Sequence, residues 1–256
     1  MIIQGKAAVV TGASRGVGKA TALALAREGC SVLVNFSRSR GEAEQTVKEA
    51  QALGAKAALF PGDVSDDRVC REMMDEAART FGRLDILVNN AGTTRFIPHG
   101  NFDEVRDEDW ERIMGVNVKG PFQCVRAARK YLEASGEGVV INVSSIAGII
   151  GSGSSIPYCA SKAALITMTI SLARALGPKV RVNSVAPGFI AGHWTQEGLG
   201  RDYEAVKQKA EERSALGRVC RPEDVAAAIL SLITGSDLIT GQTIVCDGGF
   251  LVGPRG

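Results

Sequence analysis

Apolar residues follow two alternating rhythms along the chain. Short, nearly continuous apolar runs rich in β-branched residues occupy positions 7–11, 31–35, 57–60, 86–89, 139–143, 180–185 and 242–246. Runs without polar alternation are the pattern of strands covered on both faces. Between them lie longer stretches with helical periodicity, at 16–28, 42–53, 69–81, 107–115, 121–134, 158–176 and 222–234. This alternation predicts an α/β fold: a doubly wound, seven-stranded parallel sheet of Rossmann type with helices on both faces and right-handed crossovers. Gly29, Gly54, Gly82 and Gly177 each follow a helical stretch and read as stop signals.

With 45% apolar residues in 256, the chain can bury a sizeable core. It contains no linker or repeat, so residues 1–256 are expected to form a single domain. The stretch 189–215 breaks the rhythm. It is polar, carries Gly192, Gly198 and Gly200, and holds His193 and Trp194. Placed after the C-terminal end of a strand, it is expected to be a substrate lid.

Thirty basic residues against 28 acidic ones, with no basic block, point to neither nucleic acid nor a membrane surface. No secretory leader and no apolar run of about 18 residues is apparent, so no membrane span is expected. The six cysteines are scattered with no C-x-x-C, which fits free thiols in a reducing cytoplasm. Two histidines, His99 and His193, are too few for a structural zinc site, and no metal is expected.

Thr11-Gly12-Ala13-Ser14-Arg15-Gly16-Val17-Gly18 links the first strand to the first helix. Gly12 permits a tight turn, Gly16 lets backbone approach a pyrophosphate, and Gly18 lets the helix pack on the sheet. The spacing G-x-x-x-G-x-G differs from G-x-G-x-x-G, so the turn alone is a modest signal of dinucleotide binding. Gly12–Gly16 also matches the G-x-S-x-G nucleophile elbow, with His193 as a candidate partner of Ser14. That hydrolase reading is disfavoured because only one strand precedes Ser14. After the second strand the chain reads Asn35-Phe36-Ser37-Arg38, with no acid to bond a ribose 2′-hydroxyl. Arg15 and Arg38 suit a 2′-phosphate instead, which favours NADPH/NADP+ over NADH/NAD+.

Tyr158 and Lys162 are spaced i, i+4 at the start of a helical stretch and share a face. Ser145 lies 13 residues before Tyr158, at a strand end where α/β sheets bind ligands. A nearby ammonium favours phenolate, so Tyr158 is expected to be a general acid or base with a depressed pKa. A drop of about three units corresponds to about 4 kcal/mol. A second match, Tyr203 and Lys207, has Ile190 at the position 13 residues upstream and reads as an ordinary exposed or lid tyrosine.

With these residues in view, the sequence resembles the short-chain dehydrogenase/reductase family over essentially its whole length. Further shared motifs are Asp63-Val64, Asn89-Asn90-Ala91-Gly92, Asn117 opening the fifth helix, Pro187-Gly188, and Asp247-Gly248-Gly249. The resemblance implies that Tyr158 donates a proton to a carbonyl oxygen that Ser145 hydrogen-bonds. Lys162 would bond the nicotinamide ribose and acidify Tyr158, and Asn117 would hold a water linking Lys162 to solvent. Asp63 and Val64 would meet the adenine, and Asn90, with Ala91 and Gly92, the cofactor ribose. The cofactor set is then Gly12, Ser14, Arg15, Gly16, Val17, Gly18, Ser37, Arg38, Asp63, Val64, Asn90, Ala91, Gly92, Tyr158, Lys162, Pro187, Gly188 and Ile190. Strand alternation turns Ser144 away from Ser145. The family's threonine after Pro-Gly is missing, since position 192 is glycine. Backbone of Ile190, or Thr195 after a shift, would replace it, and His193 is either a substrate contact or a plain lid residue.

Among family members the likeness is greatest to bacterial 3-oxoacyl-(acyl-carrier-protein) reductases, through Thr11–Gly18, 35–38 and Ile239-Thr240-Gly241-Gln242. Acidic carrier proteins call for cations at the site mouth. Lys179 fits, but 133–138 has none, and Arg129 and Lys130 lie a turn earlier. A sugar, polyol or other small secondary-alcohol dehydrogenase stays open as the alternative. A non-catalytic nucleotide-binding module is disfavoured by the intact Asn117, Ser145, Tyr158 and Lys162. The resemblance also implies a homotetramer, packed through the helices at 117–134 and 158–177.

Overall fold

The computed structural model describes residues 1–254. Strands β1 (Ala7–Val10), β2 (Ser31–Phe36), β3 (Ala57–Pro61), β4 (Ile86–Asn89), β5 (Gly138–Val143), β6 (Val180–Pro187) and β7 (Thr243–Cys246) form one sheet in the order β3-β2-β1-β4-β5-β6-β7. Every neighbouring pair is parallel. The helices are α1 (Gly16–Arg27), α2 (Arg40–Ala52), α3 (Asp67–Phe81), α4 (Asp107–Met114), α5 (Gly120–Ala134), α6 (Ala147–Ile150), α7 (Ile156–Leu176), α8 (His193–Leu199), α9 (Tyr203–Arg213) and α10 (Pro222–Thr234).

Successive strand residues serve opposite layers. Ala8, Val10, Val34, Ile86 and Ile141 pack with Leu25 and Ile229 of α1 and α10. Val9, Leu33, Leu87, Val140 and Val182 pack with Met73, Leu132 and Leu172 of α3, α5 and α7. Burial from both sides explains the unbroken apolar runs. The strand order reverses between β1 and β4, and ligands of such sheets bind at the strand ends beside that reversal.

Several local expectations need correction. The fourth and fifth helices are joined by a π-helical turn, Gly115–Lys119, so Asn117 sits inside a turn rather than opening a helix. Such turns interrupt the regular ladder and recur at functional sites. The 189–215 stretch holds two helices and a 3₁₀ turn. Their pattern is faint because α8 buries no residue and α9 buries only Tyr203 and Ala210. Gly29, Gly54 and Gly82 are left-handed, but Gly177 is extended (φ −64°, ψ 149°) because proline follows it. Helix α7, at 21 residues, is long and apolar enough to cross a membrane by length and composition. Half of its most apolar stretch is buried within the fold, and it buries Ser161, Lys162 and Thr169 as well, as a core helix does.

Candidate active site

A cleft of about 1070 Å³ runs along the C-terminal ends of the strands. On its wall lie Tyr158, Lys162 and Ser145, and also Pro187, Gly188 and Ile190. The nucleotide candidates Gly12, Ser14, Arg15, Gly16, Val17, Ser37, Arg38, Asp63, Val64, Asn90, Ala91 and Gly92 line it too. Gly18 and Asn117 do not. Gly18 is packed against the turn, where a Cβ would come within 2.8 Å of Ala13 Cα.

Tyr158 sits in the first turn of α7, where the Ser155 side chain accepts its backbone N–H. Its phenol lies near Ser145, just beyond β5, whose side chain acts to lower the phenol's pKa. Ser145 Oγ also accepts the Ala147 N–H at 3.1 Å. Ser144 faces the other way, donating to Val185 O at 3.0 Å and accepting from Ser184 Oγ at 2.7 Å. One turn along α7, Lys162 Nζ donates to Val143 O at 2.8 Å and lies 5.6 Å from the Tyr158 ring centroid.

The electrostatics differ from the expectation. Burial pushes the Tyr158 phenol above its ordinary value; the Ser145 side chain opposes this without cancelling it, and Cys159 adds to the rise. Burial lowers Lys162 to about 8. The ammonium is turned toward the Val143 carbonyl, so in the protein by itself it does not acidify the phenol. The phenol is therefore protonated at neutral pH, a state that can give a proton to an oxygen placed between it and Ser145.

Asn117 is fully buried. Its Nδ2 donates to Thr93 O at 2.9 Å and to Ser161 Oγ at 3.0 Å, and its Oδ1 accepts the Thr93 N–H at 2.8 Å. The side chain ties the loop following β4 to α7. Its Oδ1 and Lys162 Nζ each lie 3.6 Å from the point a Gly92 β-carbon would occupy.

The glycine turn suits a pyrophosphate. Gly12 (φ +61°) is pressed against Ala91, where a Cβ would come within 2.9 Å of Ala91 Cα. Gly16 (φ +57°) has nothing within 4 Å of its Cβ position, on the cleft wall. Helix α1 has no side-chain cap, which leaves its first N–H groups for an anion. Asn90 braces the turn by donating to Thr11 O at 2.8 Å and Gly12 O at 2.9 Å. Asn35 accepts the Gly12 N–H and donates to Phe60 O and Gly62 O, which ties β2 to the glycine turn and to β3. Arg38 has no ion-pair partner among the described residues. Arg15 instead meets His193 Nδ1 at 3.0 Å and Glu197 at 3.3 Å. Burial works to raise the Asp63 carboxyl, but Arg112 and Ser65 hold it below its ordinary value.

Other expectations shift. The Ser14 hydroxyl has no histidine partner among the described residues, and His193 is engaged elsewhere. Thr195 Oγ1 donates to Ile190 O at 2.8 Å and to Gly192 O at 2.9 Å, which staples the start of α8. Tyr203 is buried, 6.0 Å from the Phe189 ring, rather than exposed. Arg129 is paired with Glu133 and Lys130 with Asp75. Sequence reasoning missed Phe96 and His99, which line the cleft from the loop after β4. No periodicity or motif marks them.

A family model described as enoyl-(acyl carrier protein) reductase matches residues 12–251. The chain belongs to the short-chain dehydrogenase/reductase family. It is 45% identical over 243 residues to the ketoacyl reductase 2 assigned to the granaticin polyketide synthase of Streptomyces violaceoruber, covering 94% of each chain. It is 38% identical to the 3-oxoacyl-[acyl-carrier-protein] reductase of Thermotoga maritima, over 98% of this chain and all of that one. Among solved structures, a protein assigned as a short-chain dehydrogenase/reductase from Burkholderia xenovorans superposes with a TM-score of 0.90 at 39% identity, covering 97% of this chain and 98% of that one. An NAD+-bound xylitol dehydrogenase gives 0.89 at 27%, covering 97% of this chain and 100% of that one. The chain is thus an oxidoreductase of a family that acts on carbonyl and secondary-alcohol groups.

Proposed function

We propose that the protein reduces the ketone of a 3-oxoacyl thioester with NADPH, using Ser145, Tyr158 and Lys162. The observation that carries this is the Ser145–Tyr158 hydroxyl pair, held beside a glycine turn whose neighbouring strand end carries Arg38 and no acid. The ketoacyl and 3-oxoacyl reductases among its relatives support the same substrate class.

A nicotinamide dinucleotide held there would supply the hydride that the carbonyl carbon takes up. Ser145 orients the carbonyl oxygen and stabilises the charge that grows on it. The neutral Tyr158 hydroxyl gives its proton to that oxygen, completing the alcohol. Lys162 would bond the cofactor ribose, and a water held by Asn117 would pass a proton from solvent to Lys162 and on to Tyr158. Gly12, Gly16 and the first turn of α1 would cradle the pyrophosphate, and Arg38 would take the 2′-phosphate. Residues 189–215 close over the substrate as a lid of the one domain.

Unbridged cysteines among the described residues agree with a reducing cytoplasm. Phe122 of α5 and Ile170 of α7 leave apolar surface exposed, in support of a tetramer packed through these helices.

Steady-state rates with 3-oxobutanoyl thioester and with xylulose, each with NADPH and NADH, test the reading. NADPH and the thioester are expected to win, and Tyr158→Phe to abolish turnover while nucleotide affinity stays. A tenfold advantage for NADH, or a fully active Tyr158→Phe, would overturn it.

A further inference from the structure

We propose that the cleft wall facing Tyr158 selects ketones that carry an apolar, planar ring, and that Trp194 is the residue that reads the ring; this rests on the ketone-reductase reading above. Trp194 of α8 lies 6.0 Å, centroid to centroid, from the Tyr158 ring at 55°, and 6.1 Å from Phe96 at 68°. These separations and tilts are those at which aromatic quadrupoles attract. The three rings form a continuous apolar wall that begins at the group expected to protonate the substrate. Trp194 remains two-fifths exposed and lines the cleft, so part of its surface is left for a ligand.

The wall is built by close approach. A methyl group at Gly198 would fall within the Phe96 ring, so α8 seats directly on Phe96 and carries Trp194 to the site with it. Several hydroxyl-bearing residues near this wall are already committed, although Ser152 on the cleft wall has no side-chain hydrogen bond among the described residues. Thr94 Oγ1 and Ser154 Oγ share a hydrogen bond at 2.7 Å. Thr195 is spent on two backbone carbonyls, and His193 faces Arg15 and Glu197. A polyol laid here would bury hydroxyls with few partners, which opposes binding. His99, in a loose 3.9 Å contact with Cys159 Sγ, is a polar exception. A flexible alkyl chain would gain apolar burial but lose rotamer freedom on binding. A ring is already rigid and joins the existing edge-to-face stack.

The test uses the full chain with NADPH and the N-acetylcysteamine thioesters of 3-oxobutanoate and 3-oxo-3-phenylpropanoate. The wild type is expected to favour the phenyl compound in kcat/KM by about three- to tenfold. Trp194→Ala should bring that ratio close to one, chiefly through KM for the phenyl compound, and Trp194→Phe should restore most of it. Turnover of 3-oxobutanoyl thioester with no preference for the ring, or an equal loss on both substrates in Trp194→Ala, overturns the inference and leaves the reductase reading standing. Turnover of neither thioester, with NADPH measurably bound, removes both.

Discussion

Arg15 Nη1, in the glycine turn, lies 3.0 Å from Nδ1 of His193, the first residue of α8. Glu197, one helical turn on, reaches both side chains, at 3.3 Å from Arg15 and 2.9 Å from His193. An arginine suited to a nucleotide phosphate is thus held by the segment proposed as a lid. Exposed pairs of this kind are worth up to about 1 kcal/mol. Glu197→Gln should therefore free Arg15 and tighten NADPH by up to about fivefold, with NADH little changed. Fluorescence titration of both nucleotides checks it, and an unchanged NADPH affinity would argue against Arg15 as a phosphate ligand.

Adjacent serines separate chemistry from stability. Ser145→Ala should lower kcat by about 10²–10³-fold, as loss of an oxyanion donor does, with the fold intact. Ser144→Ala leaves the buried Ser184 hydroxyl without its acceptor, while Val185 O keeps the Ser144 N–H, and should cost about 1–3 kcal/mol of stability, with catalysis retained in the folded fraction. Rates and denaturant midpoints of both variants separate the roles, and the reverse pattern would exchange the assignments.

Lys162 carries a pH-dependent cost. Burial holds it at about 8 against an ordinary 10.5. Below pH 8 the folded and unfolded chains both bear the charge, and the full burial penalty stands. Between 8 and 10.5 the unfolded chain binds the proton and the folded one does not, so this residue's contribution to stability improves as pH rises. Lys162→Met should stabilise the protein at neutral pH by up to about 3 kcal/mol while destroying activity. The gain in Tm over wild type should shrink toward pH 9.5 or so. A gain that grows with pH would contradict the sign.

Gly198 faces Phe96 so closely that any side chain must move either α8 or the ring. Gly198→Ala should raise KM for the ketone by about fivefold or more, in line with overpacking costs of about 1–3 kcal/mol. NADPH affinity should change little. Titration and steady-state kinetics decide it, and an unaltered KM would show that α8 does not bear on substrate.

Most strands were legible because burial from both sheet faces leaves short, nearly continuous apolar runs bounded by turn residues, too short for the helices between them. The glycine turn and the Ser145, Tyr158 and Lys162 set were legible because local geometry places them: a strand end, a tight turn, and one helical turn between Tyr158 and Lys162. Helices α8 and α9 were not, since they bury so little that their apolar period is faint.

Composition, periodicity and local spacing determined the sheet, its layers and the residues that could carry proton transfer. Tertiary structure alone decided that Phe96 and Trp194 meet beside Tyr158, that Arg15 is held by α8, and that burial raises the phenol while Lys162 turns to Val143 O. Those outcomes depend on distances between segments far apart in the chain and on how much water each group loses. Local sequence patterns encode neither quantity.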